Sequence, residues 1–494
     1  MGFLEKLLSV FDIHSNRNAF CIKDKFYTYK ELRLLVAGIR KVIDERLSDE
    51  QKAGILVSDD IETYATILAL LLSGKTYIPI HPHHPAERTD QIIKQSGIQF
   101  IFSNSKIHTY DGIEIISNAA IVAEPVPPII SVSEFPLADR NAYILFTSGS
   151  TGVPKGVPIS YYNLNSFVDA FGALGYQLDE NDRFLQMFDL TFDLSVMSYL
   201  IPLCVGACVY TVADTGTKYT NVYGVLEEHN ITCALMVPSI ITYLRPYFNE
   251  IHLPHMKYSM FCGEALYKDV VEEWRKCVSN ATIENVYGPT EATIFCLTYT
   301  LDEQQPVEEY NGIVTLGKPM PGMEAMVTDE NKKLLQDGEK GELCLFGKQV
   351  TAGYINQDKN REAFFELEGK KYYRTGDIAF KNKQGNFMYC GRADHQVKIQ
   401  GFRVELNEIE FQLRNISGSP NVVVLAIGNK NGLNQVHAIF EEERNDTNEI
   451  TEVLRTKVPD YMLPAAYHFI SPFPLNANGK TDRNKLEKDI AQSV

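Results

Sequence analysis

Positive charge is scarce in this sequence, and paired cysteines are missing. Lys and Arg number 47 against 63 Asp and Glu, which gives a formal net charge of −16. A nucleic-acid-binding surface needs basic side chains to offset phosphates, so this balance excludes that class. The nine cysteines are scattered and include no Cys-x-x-Cys pair. That pattern argues against a zinc site or a disulfide framework and fits the reduced thiols of a cytoplasmic protein.

Long apolar runs are also missing. The most apolar internal stretch, from Ala65 to Leu72, is far shorter than the ~20 residues of a membrane-spanning helix. The amino-terminal segment contains Glu5, Lys6 and Asp12, and it lacks the uninterrupted apolar core and cleavage site of a signal peptide. We therefore expect no membrane insertion and a cytoplasmic location.

The length of 494 residues exceeds what one core supports, so more than one domain is expected. Short β-branched runs alternate with longer amphipathic stretches, which predicts an α/β fold with largely parallel sheets. From about Gly312 the pattern changes to short strands with glycine turns, which indicates a β-rich subdomain. After Asp394 a helical pattern and two strand-like runs predict a small α+β domain. The expected division is therefore residues 1–392 and 395–494.

Residues 143–156, YILFTSGSTGVPKG, lead from an apolar strand into a loop of glycines and hydroxyl residues that ends in a lysine. Glycines allow backbone N–H groups to converge on one anion. The string is not a Walker A motif, because that pattern needs Gly-Lys-Ser/Thr, and Pro154-Lys155-Gly156 stands here instead. The predicted phosphate-binding residues are Thr147, Ser148, Gly149, Ser150, Thr151 and Lys155.

This loop resembles the phosphate-loop signature of the adenylate-forming enzymes, which include acyl-CoA synthetases, luciferases and amino-acid adenylation domains. Further stretches resemble other signatures of that family in the same order: YTYKEL (27–32), LLSGKTYIPIHPHHPAER (71–88), NVYGPTEAT (285–293), GELCLFG (341–347), YRTGD (373–377), GRADHQVKIQGFRVELNEIE (391–410) and NANGKTDR (476–483). The resemblance implies a large amino-terminal domain of two α/β sheets plus the β-rich subdomain. It also implies that the carboxy-terminal domain is mobile.

The resemblance further implies ATP as a substrate, Mg²⁺ as a cofactor, and roles for individual residues. Lys480 corresponds to the catalytic lysine that bridges the substrate carboxylate and the α-phosphate. Glu291 corresponds to the Mg²⁺ ligand, and Thr290 to a donor to the α-phosphate. Tyr287 would lie against adenine, while Asp377 and Arg392 would contact the ribose. Adenylation requires no general base, because a carboxylate is already ionised at neutral pH.

FDLTFDLS (188–195) contains two aspartates, and either could simply cap the helix that follows. In amino-acid adenylation enzymes a Phe-Asp-x-Ser word supplies the carboxylate that pairs with the substrate's α-ammonium. Its spacing to Gly206-Ala207 selects Asp193 rather than Asp189. Related acyl-CoA synthetases and luciferases generally have a histidine nearby, and none occurs between Asp182 and Tyr210. The expected substrate is an amino acid.

By motif register, bulky apolar side chains should line the side-chain pocket. They are Leu194, Met197, Met236, Met260, Cys262, Val286, Ile294 and Phe295. Little room remains, and FDLSVM with FCGEAL resembles the D-alanine–carrier-protein ligases. One methyl group changes binding by only ~1–3 kcal/mol, so alanine, glycine or serine of either hand stay open. His81, His83 and His84 lie between prolines without a metal-binding spacing, so we interpret them as loop residues. The family usually has an acidic residue at the position of His81.

The chain ends 14 residues after Lys480 without a carrier domain, so we expect a separate phosphopantetheinylated carrier protein as the acceptor. The family swings its carboxy-terminal domain about the position of Asp394, so that Lys480 leaves and the stretch around Lys398 enters. Three alternatives stay open: an acyl- or aryl-CoA ligase, an adenylating ligase that forms an amide, and a non-catalytic nucleotide-binding protein.

Overall fold

The structure is a computed structural model. It describes the chain except residues 1, 48–51, 105–108, 119–120, 122–139, 149–152, 215, 303, 394–395, 420, 431, 445, 475–480 and 492–494, and the side chain of Asn484. The predicted site residues Gly149, Ser150, Thr151, Asp394 and Lys480 therefore lie outside the described residues.

The described strands are β1 (Asn18–Ile22), β2 (Lys25–Thr28), β3 (Lys52–Leu56), β4 (Thr76–Ile80), β5 (Phe100–Ser103), β6 (Glu114–Ser117), β7 (Asn141–Thr147), β8 (Lys155–Ser160), β9 (Arg183–Gln186), β10 (Cys208–Thr211), β11 (Cys233–Met236), β12 (Tyr258–Phe261), β13 (Thr282–Tyr287), β14 (Leu297–Leu301), β15 (Glu309–Tyr310), β16 (Ile313–Val314), β17 (Lys318–Pro319), β18 (Met323–Thr328), β19 (Gly341–Gly347), β20 (Phe364–Leu367), β21 (Lys370–Lys381), β22 (Phe387–Arg392), β23 (Gln396–Ile399), β24 (Phe402–Glu405), β25 (Val422–Gly428), β26 (Asn434–Phe440) and β27 (Ala466–Phe469).

The described α-helices are α1 (Phe3–Ile13), α2 (Tyr29–Arg46), α3 (Ile61–Leu72), α4 (Ala86–Ser96), α5 (Tyr161–Ala173), α6 (Asp193–Val205), α7 (Lys218–Glu228), α8 (Pro238–Leu244), α9 (Lys268–Cys277), α10 (Asn360–Ala363), α11 (Leu406–Ser417), α12 (Thr447–Arg455) and α13 (Arg483–Ala491).

Two large sheets carry most of the fold. One has the order β6-β5-β3-β4-β7-β8, and its pairings from β6 to β7 are parallel. The other has the order β17-β14-β13-β12-β11-β9-β10-β1-β2, parallel from β13 to β1 and antiparallel at both edges. A smaller sheet, β18-β19-β21-β20 with β22 beside β21, is the β-rich subdomain. The predicted α/β class with two sheets and a β-rich subdomain is confirmed.

Several sequence-predicted elements are confirmed with small changes at their ends. The helix expected at 61–72 is α3, and the strands expected near 99–103, 207–212 and 232–237 are β5, β10 and β11. The helical spacing assigned to 404–415 was wrong for its first two residues, because Val404 and Glu405 close strand β24 and α11 begins at Leu406. A strand residue and a helix residue can satisfy the same short apolar pattern.

Helices α3 and α6 are buried on nearly every face. All residues of α6 from Asp193 to Cys204 are buried, as are all of α3 except Glu62. A helix that is apolar all round lies inside a core rather than on a surface. One apolar cluster contains side chains of both helices and of both large sheets, and the hydroxyls of Tyr77 on β4 and Tyr199 on α6 lie 2.9 Å apart. This core fixes the start of α6, where Asp193 lies.

The chain forms two compact units. The first contains residues 1–82, 95–145 and 156–391, and the second contains residues 83–94, 146–155 and 392–494. The second unit includes the hairpin β23–β24 and a sheet in which β25 and β26 are antiparallel and β26 and β27 are parallel. The domain boundary near Asp394 stays a prediction.

Candidate active site

Asp189, the first aspartate of the doubled word, is engaged in local structure. Its Oδ1 accepts hydrogen bonds from the backbone N–H and the hydroxyl of Thr191, at 2.7 and 2.6 Å. Its Oδ2 lies 3.1 Å from Nε2 of His81. Burial acts to raise the pKa of Asp189, but the hydrogen bonds and charge of His81 and the bonds from Thr191 outweigh burial and lower that pKa to about 2. Asp189 is therefore ionised and holds a turn.

Asp193, the second aspartate, is the first residue of α6 and is only 6% exposed. Phe192 occupies the N-cap position, and no side-chain capping bond is made there. The helix ends at Gly206, which adopts a left-handed conformation with φ of 84°. The pKa of the buried Tyr143 hydroxyl is raised, first by burial and then by the charge of Asp193. Asp193 is thus a buried carboxylate that does not cap its helix.

The predicted pocket residues lie mostly where parallel strands end. Met236 and Met260 lie on β11 and β12, Cys262 follows β12, and Val286 lies on β13. These neighbouring strands run parallel, so their carboxyl ends share one edge of the sheet, the usual place for a ligand in such folds. All eight predicted residues are buried, at 6% exposure or less. Seven belong to the apolar cluster that contains α6, whereas Met236 belongs to the cluster on the other side of the sheet.

The segment from Tyr287 to Cys296 folds back on itself. The N–H of Cys296 donates to the carbonyl of Tyr287 at 2.8 Å. Thr293 and Ile294 have φ of 55° and 73°, which only a tightly determined turn imposes on β-branched residues. A Cβ at Gly288 would lie 2.4 Å from Cα of Phe295, so only glycine permits this approach. The turn brings the predicted nucleotide residues Tyr287, Thr290 and Glu291 and the predicted pocket residues Ile294 and Phe295 into one short segment.

Tyr287 and Asp377 are in direct contact, since the Tyr287 hydroxyl donates to Oδ2 of Asp377. Burial, and then the charge of Asp377, raise the pKa of Tyr287 well above its usual range. Asp377 lies on β21, is 7% exposed, and its backbone N–H donates to the Thr375 hydroxyl at 3.0 Å. An aromatic ring and a carboxylate therefore adjoin, the combination expected for a base and a ribose.

Glu291 is fully buried in the short 3₁₀ turn Thr290–Ala292. The hydroxyl of Tyr354 donates to its Oε1 at 2.6 Å. Its carbonyl accepts from the N–H of Thr351 at 2.8 Å. Tyr354 was not predicted from the sequence as a site residue. No local motif points to it, because Tyr354 and Glu291 are far apart in the chain.

In the second unit, two predicted phosphate ligands contact the hairpin β23–β24. The hydroxyl of Ser148 donates to the carbonyl of Arg403 at 2.7 Å. Nζ of Lys155 lies 3.2 Å from Oε1 of Glu405, which also accepts from Nε2 of Gln396 at 2.8 Å. Lys398 lies on β23 directly opposite Arg403. Arg392 is the last residue of β22, and Thr147 is the last residue of β7. Glu405 is a further contact that the sequence analysis missed.

One further set of metal-binding residue types occurs in the described part of the chain. Donor atoms of Cys21, Asp24 and His229 lie within 4.8 Å of one another. Burial, and then the charge of Asp24, raise the pKa of the Cys21 thiol to about 11, so this thiol stays protonated at neutral pH. His229 and Asp24 form an ordinary pair at 3.2 Å. We interpret the group as a contact of the β1–β2 hairpin. The nine cysteines are all free thiols.

Among the described helices, none is both long enough and apolar enough to span a bilayer.

Comparison with known proteins identifies the family. Residues 11–355 match the AMP-binding enzyme family. The D-alanine--D-alanyl carrier protein ligase of Bacillus licheniformis is 30% identical, over 99% of this chain and 100% of its own length. A linear gramicidin synthase of Brevibacillus parabrevis is 32% identical over 95% of this chain, which spans only 9% of that protein. The crystal structure of the Vibrio cholerae adenylation domain AlmE, in complex with glycyl-adenosine-5'-phosphate, shares 27% identity and a TM-score of 0.88, covering 99% of this chain and 98% of that one.

The family match covers well over half of the sequence, and full-length relatives align from end to end. The chain therefore belongs to the AMP-binding enzyme family and is an ATP-using, AMP-forming ligase.

Proposed function

We propose that this ligase activates a small amino acid as its aminoacyl-AMP and then transfers it to the phosphopantetheine thiol of a separate carrier protein. The observation that carries the amino-acid assignment is the buried carboxylate of Asp193 at the start of α6, beside a predicted apolar pocket. An α-ammonium taken out of water needs such a partner, because an unpaired buried charge costs several kcal/mol. Asp189 serves another purpose, since it bonds Thr191 and His81.

The side-chain pocket favours a small substrate. Met197, Met260 and Phe295 are bulky and at most 2% exposed. A ligase similar over its whole length is named for D-alanine, and a similar solved adenylation domain was crystallised with glycyl-adenosine-5'-phosphate. We therefore propose D-alanine or glycine as the first candidates, with L-alanine and serine next. A hydrophobic pocket distinguishes one methyl group by only ~1–3 kcal/mol.

We assign the proposed contacts with the nucleotide to individual residues. Tyr287 would lie against adenine, Asp377 and Arg392 would contact the ribose, and Thr290 the α-phosphate. The contact between Tyr287 and Asp377 supports this proposal, because it places a ring and a carboxylate side by side. The phosphate loop would contribute Thr147, Ser148, Gly149, Ser150, Thr151 and Lys155.

Mg²⁺ fits the surroundings of Glu291. This ion prefers one or two carboxylates completed by phosphate oxygens and water. Glu291 offers one buried carboxylate whose Oε1 accepts a hydrogen bond from Tyr354, and such outer contacts orient a metal ligand. When bound, the ion would neutralise charge on the phosphates.

The first step needs positioning and charge stabilisation rather than proton transfer. A carboxylate oxygen of the amino acid attacks the α-phosphorus of ATP, and the bond from that phosphorus to the bridging oxygen of pyrophosphate breaks. Charge gathers on the phosphoryl oxygens in the transition state, where a fixed cation is most effective. Lys480 is the proposed cation, and it would contact both the carboxylate and the α-phosphate.

In the second step the carrier thiolate attacks the acyl carbon and AMP leaves. We propose that the chain turns at Asp394 between the steps, so that Lys480 withdraws and the stretch around Lys398 approaches.

ATP as substrate and nine free thiols support a cytoplasmic location.

ATP–pyrophosphate exchange with D-alanine, glycine, L-alanine and L-serine tests the proposal. We expect exchange with at least one of them, its abolition by Lys480→Ala, and a loss of about a hundredfold or more in amino-acid kcat/KM with Asp193→Ala. Asp337→Ala removes an exposed aspartate that pairs with Lys381 at the surface, and it should change neither.

The acceptor is tested separately, with a phosphopantetheinylated carrier protein, free CoA and a simple amine. Thioester on the carrier alone supports the proposal. Preference for CoA, together with an active Asp193→Ala variant, would establish the acyl-CoA ligase instead. Amide formation would establish the amide ligase, and no exchange with any of the four would refute activation of the substrates proposed here.

A further inference from the structure

We propose that His81 is a positioning residue for the amino-acid site: through Asp189 it holds the turn that sets where α6 begins and hence where the Asp193 carboxylate lies. This inference rests on the proposed function. It assigns a role to a histidine that the sequence analysis interpreted only as a loop residue.

The contacts form a continuous chain. His81 directly follows β4, and its Nε2 lies 3.1 Å from Oδ2 of Asp189. The other carboxylate oxygen of Asp189 accepts both bonds from Thr191. The carbonyl of Asp189 accepts from the N–H of Phe192 at 3.0 Å. Asp193 is the next residue, so one turn of five residues connects the imidazole to the start of the helix.

The start of α6 lacks the usual side-chain cap. Phe192 stands at the N-cap, where Ser, Thr, Asp or Asn would normally fix the first turn. Ser195 donates both its N–H, at 3.2 Å, and its hydroxyl, at 2.5 Å, to the carbonyl of Phe192. These bonds tie the helix to Phe192. On the upstream side, the side chain of Gln186 bonds the N–H and the carbonyl of Phe188, and Asp189 adds its bonds to Thr191 and its pair with His81. The pair with His81 therefore contributes to the position of that side of the turn.

Charge gives the pair a second effect. Asp189 is ionised, because the opposing imidazole and the Thr191 bonds lower the pKa of its carboxyl to about 2 against the effect of burial. Lys218 also interacts with Asp189, as well as with Asp214 and Asp59, and burial lowers the pKa of Lys218 despite these acids. Lys218, and His81 when it is protonated, oppose the charge of Asp189, which stands four residues before Asp193 in the sequence.

Kinetics of pyrophosphate exchange distinguish positioning from a general loss of fold. In His81→Ala we expect amino-acid KM to rise about tenfold while ATP KM changes less than twofold, since a displacement of about 1 Å is enough to weaken a directed ion pair. Asp189→Asn should give a similar rise, because it removes the charge but keeps an oxygen for Thr191. Asp189→Ala should be more severe, since it loses both. His252→Ala, an exposed histidine of the same unit, is the matched control.

The double variant His81→Ala/Asp189→Asn supplies the decisive comparison. If the two side chains act as one unit, its amino-acid KM equals that of the worse single variant, whereas independent effects would multiply. Multiplied effects, or an equal rise in ATP KM, would overturn the proposal.

The role of His81 can still be tested if the proposed function is wrong. Should the wild-type chain exchange with none of the four amino acids, the same cycle is measured as urea unfolding midpoints. Non-additive shifts of the midpoint would support the proposal that His81 and Asp189 together hold the turn. Additive shifts would refute it.

Discussion

Among the candidate nucleotide and metal ligands that the structure describes, Glu291 is the most buried. Its contacts explain how a buried carboxylate is tolerated. Its Oε1 accepts a bond from Tyr354, and its backbone carbonyl accepts one from Thr351. A buried carboxylate that lost such bonds would be destabilising, so the Tyr354 contact stabilises the charged form and orients it. Stability and the proposed Mg²⁺ site would therefore depend on the same hydrogen bond.

Replacement of Glu291 by Gln separates charge from hydrogen bonding. The amide oxygen can still accept from Tyr354, so we expect the fold to persist, but the Mg²⁺ concentration for half-maximal exchange should rise about a hundredfold. Tyr354→Phe keeps the carboxylate and loses its orienting bond, so the rise should be about tenfold. A titration of exchange rate against Mg²⁺ measures both. An unchanged Mg²⁺ dependence in Glu291→Gln would show that Glu291 does not bind the ion.

At the scale of elements, α6 is fixed at both ends by features that the sequence only partly reveals. The turn at Asp189 sets its start, and Gly206 ends it with φ of 84°. The imidazole of His14, at the end of α1, lies only 2.7 Å from where a Cβ at Gly206 would be. The left-handed conformation and the tight packing both require glycine at position 206, so the carboxyl end of α6 is fixed at this residue.

Gly206→Ala should lower the free energy of unfolding, by about 1–2 kcal/mol for the left-handed conformation and more for the clash with His14. In a His14→Ala background only the conformational part should remain. Urea unfolding of the four chains gives both values. An equal cost in both backgrounds would show that His14 moves aside without strain.

In the second unit, a histidine pair links β26 to β27. Nδ1 of His437 and Nε2 of His468 lie 2.8 Å apart, and the rings are stacked. This bond requires one neutral nitrogen as acceptor, so two imidazolium ions cannot form it. Burial lowers the pKa of both side chains, and His468 lowers that of His437 further.

Because both folded-state pKa values lie below the ordinary value of ~6.5, the unfolded chain binds more protons at mildly acidic pH. The contribution to stability is therefore present above ~6.5 and is lost as the pH falls through the lower folded-state values. Urea midpoints of the full chain at pH 7.5 and 5.5 should fall more in the wild type than in His437→Gln. His255→Ala, an exposed histidine, should behave like the wild type. Equal falls in all three would exclude the pair as the cause.

At the scale of the whole molecule, the proposed turn at Asp394 predicts a separation of the two half-reactions. Asp394→Pro fixes φ near −65° and removes a backbone donor. We expect pyrophosphate exchange to persist largely intact and thioester formation to slow at least tenfold. Asp394→Ala removes the side chain but not the backbone freedom, and it should be milder in the thioester assay. Equal loss of both activities in Asp394→Pro would refute a hinge at this residue.

The sequence predicted much of the fold because its signals are local. The apolar pattern of α3, the strand runs of β5, β10 and β11, and the glycine loop before Lys155 each lie within one short stretch. The family resemblance supplied Tyr287, Glu291 and Asp377, and the contact between Tyr287 and Asp377 joins positions that no local pattern connects. Tyr354, Glu405 and the pairing of His81 with Asp189 could not be predicted, since each joins segments that only the tertiary fold brings together.

Ser148 and Lys155 of the predicted phosphate loop are bonded to Arg403 and Glu405 of the same chain. A triphosphate bound at this predicted loop would compete with the Glu405 carboxylate for the Lys155 ammonium, so its apparent dissociation constant would equal the intrinsic one divided by the fraction of molecules in which Lys155 is released. A chain with a neutral side chain at 405 would bind nucleotide more tightly without gaining a single new contact to it.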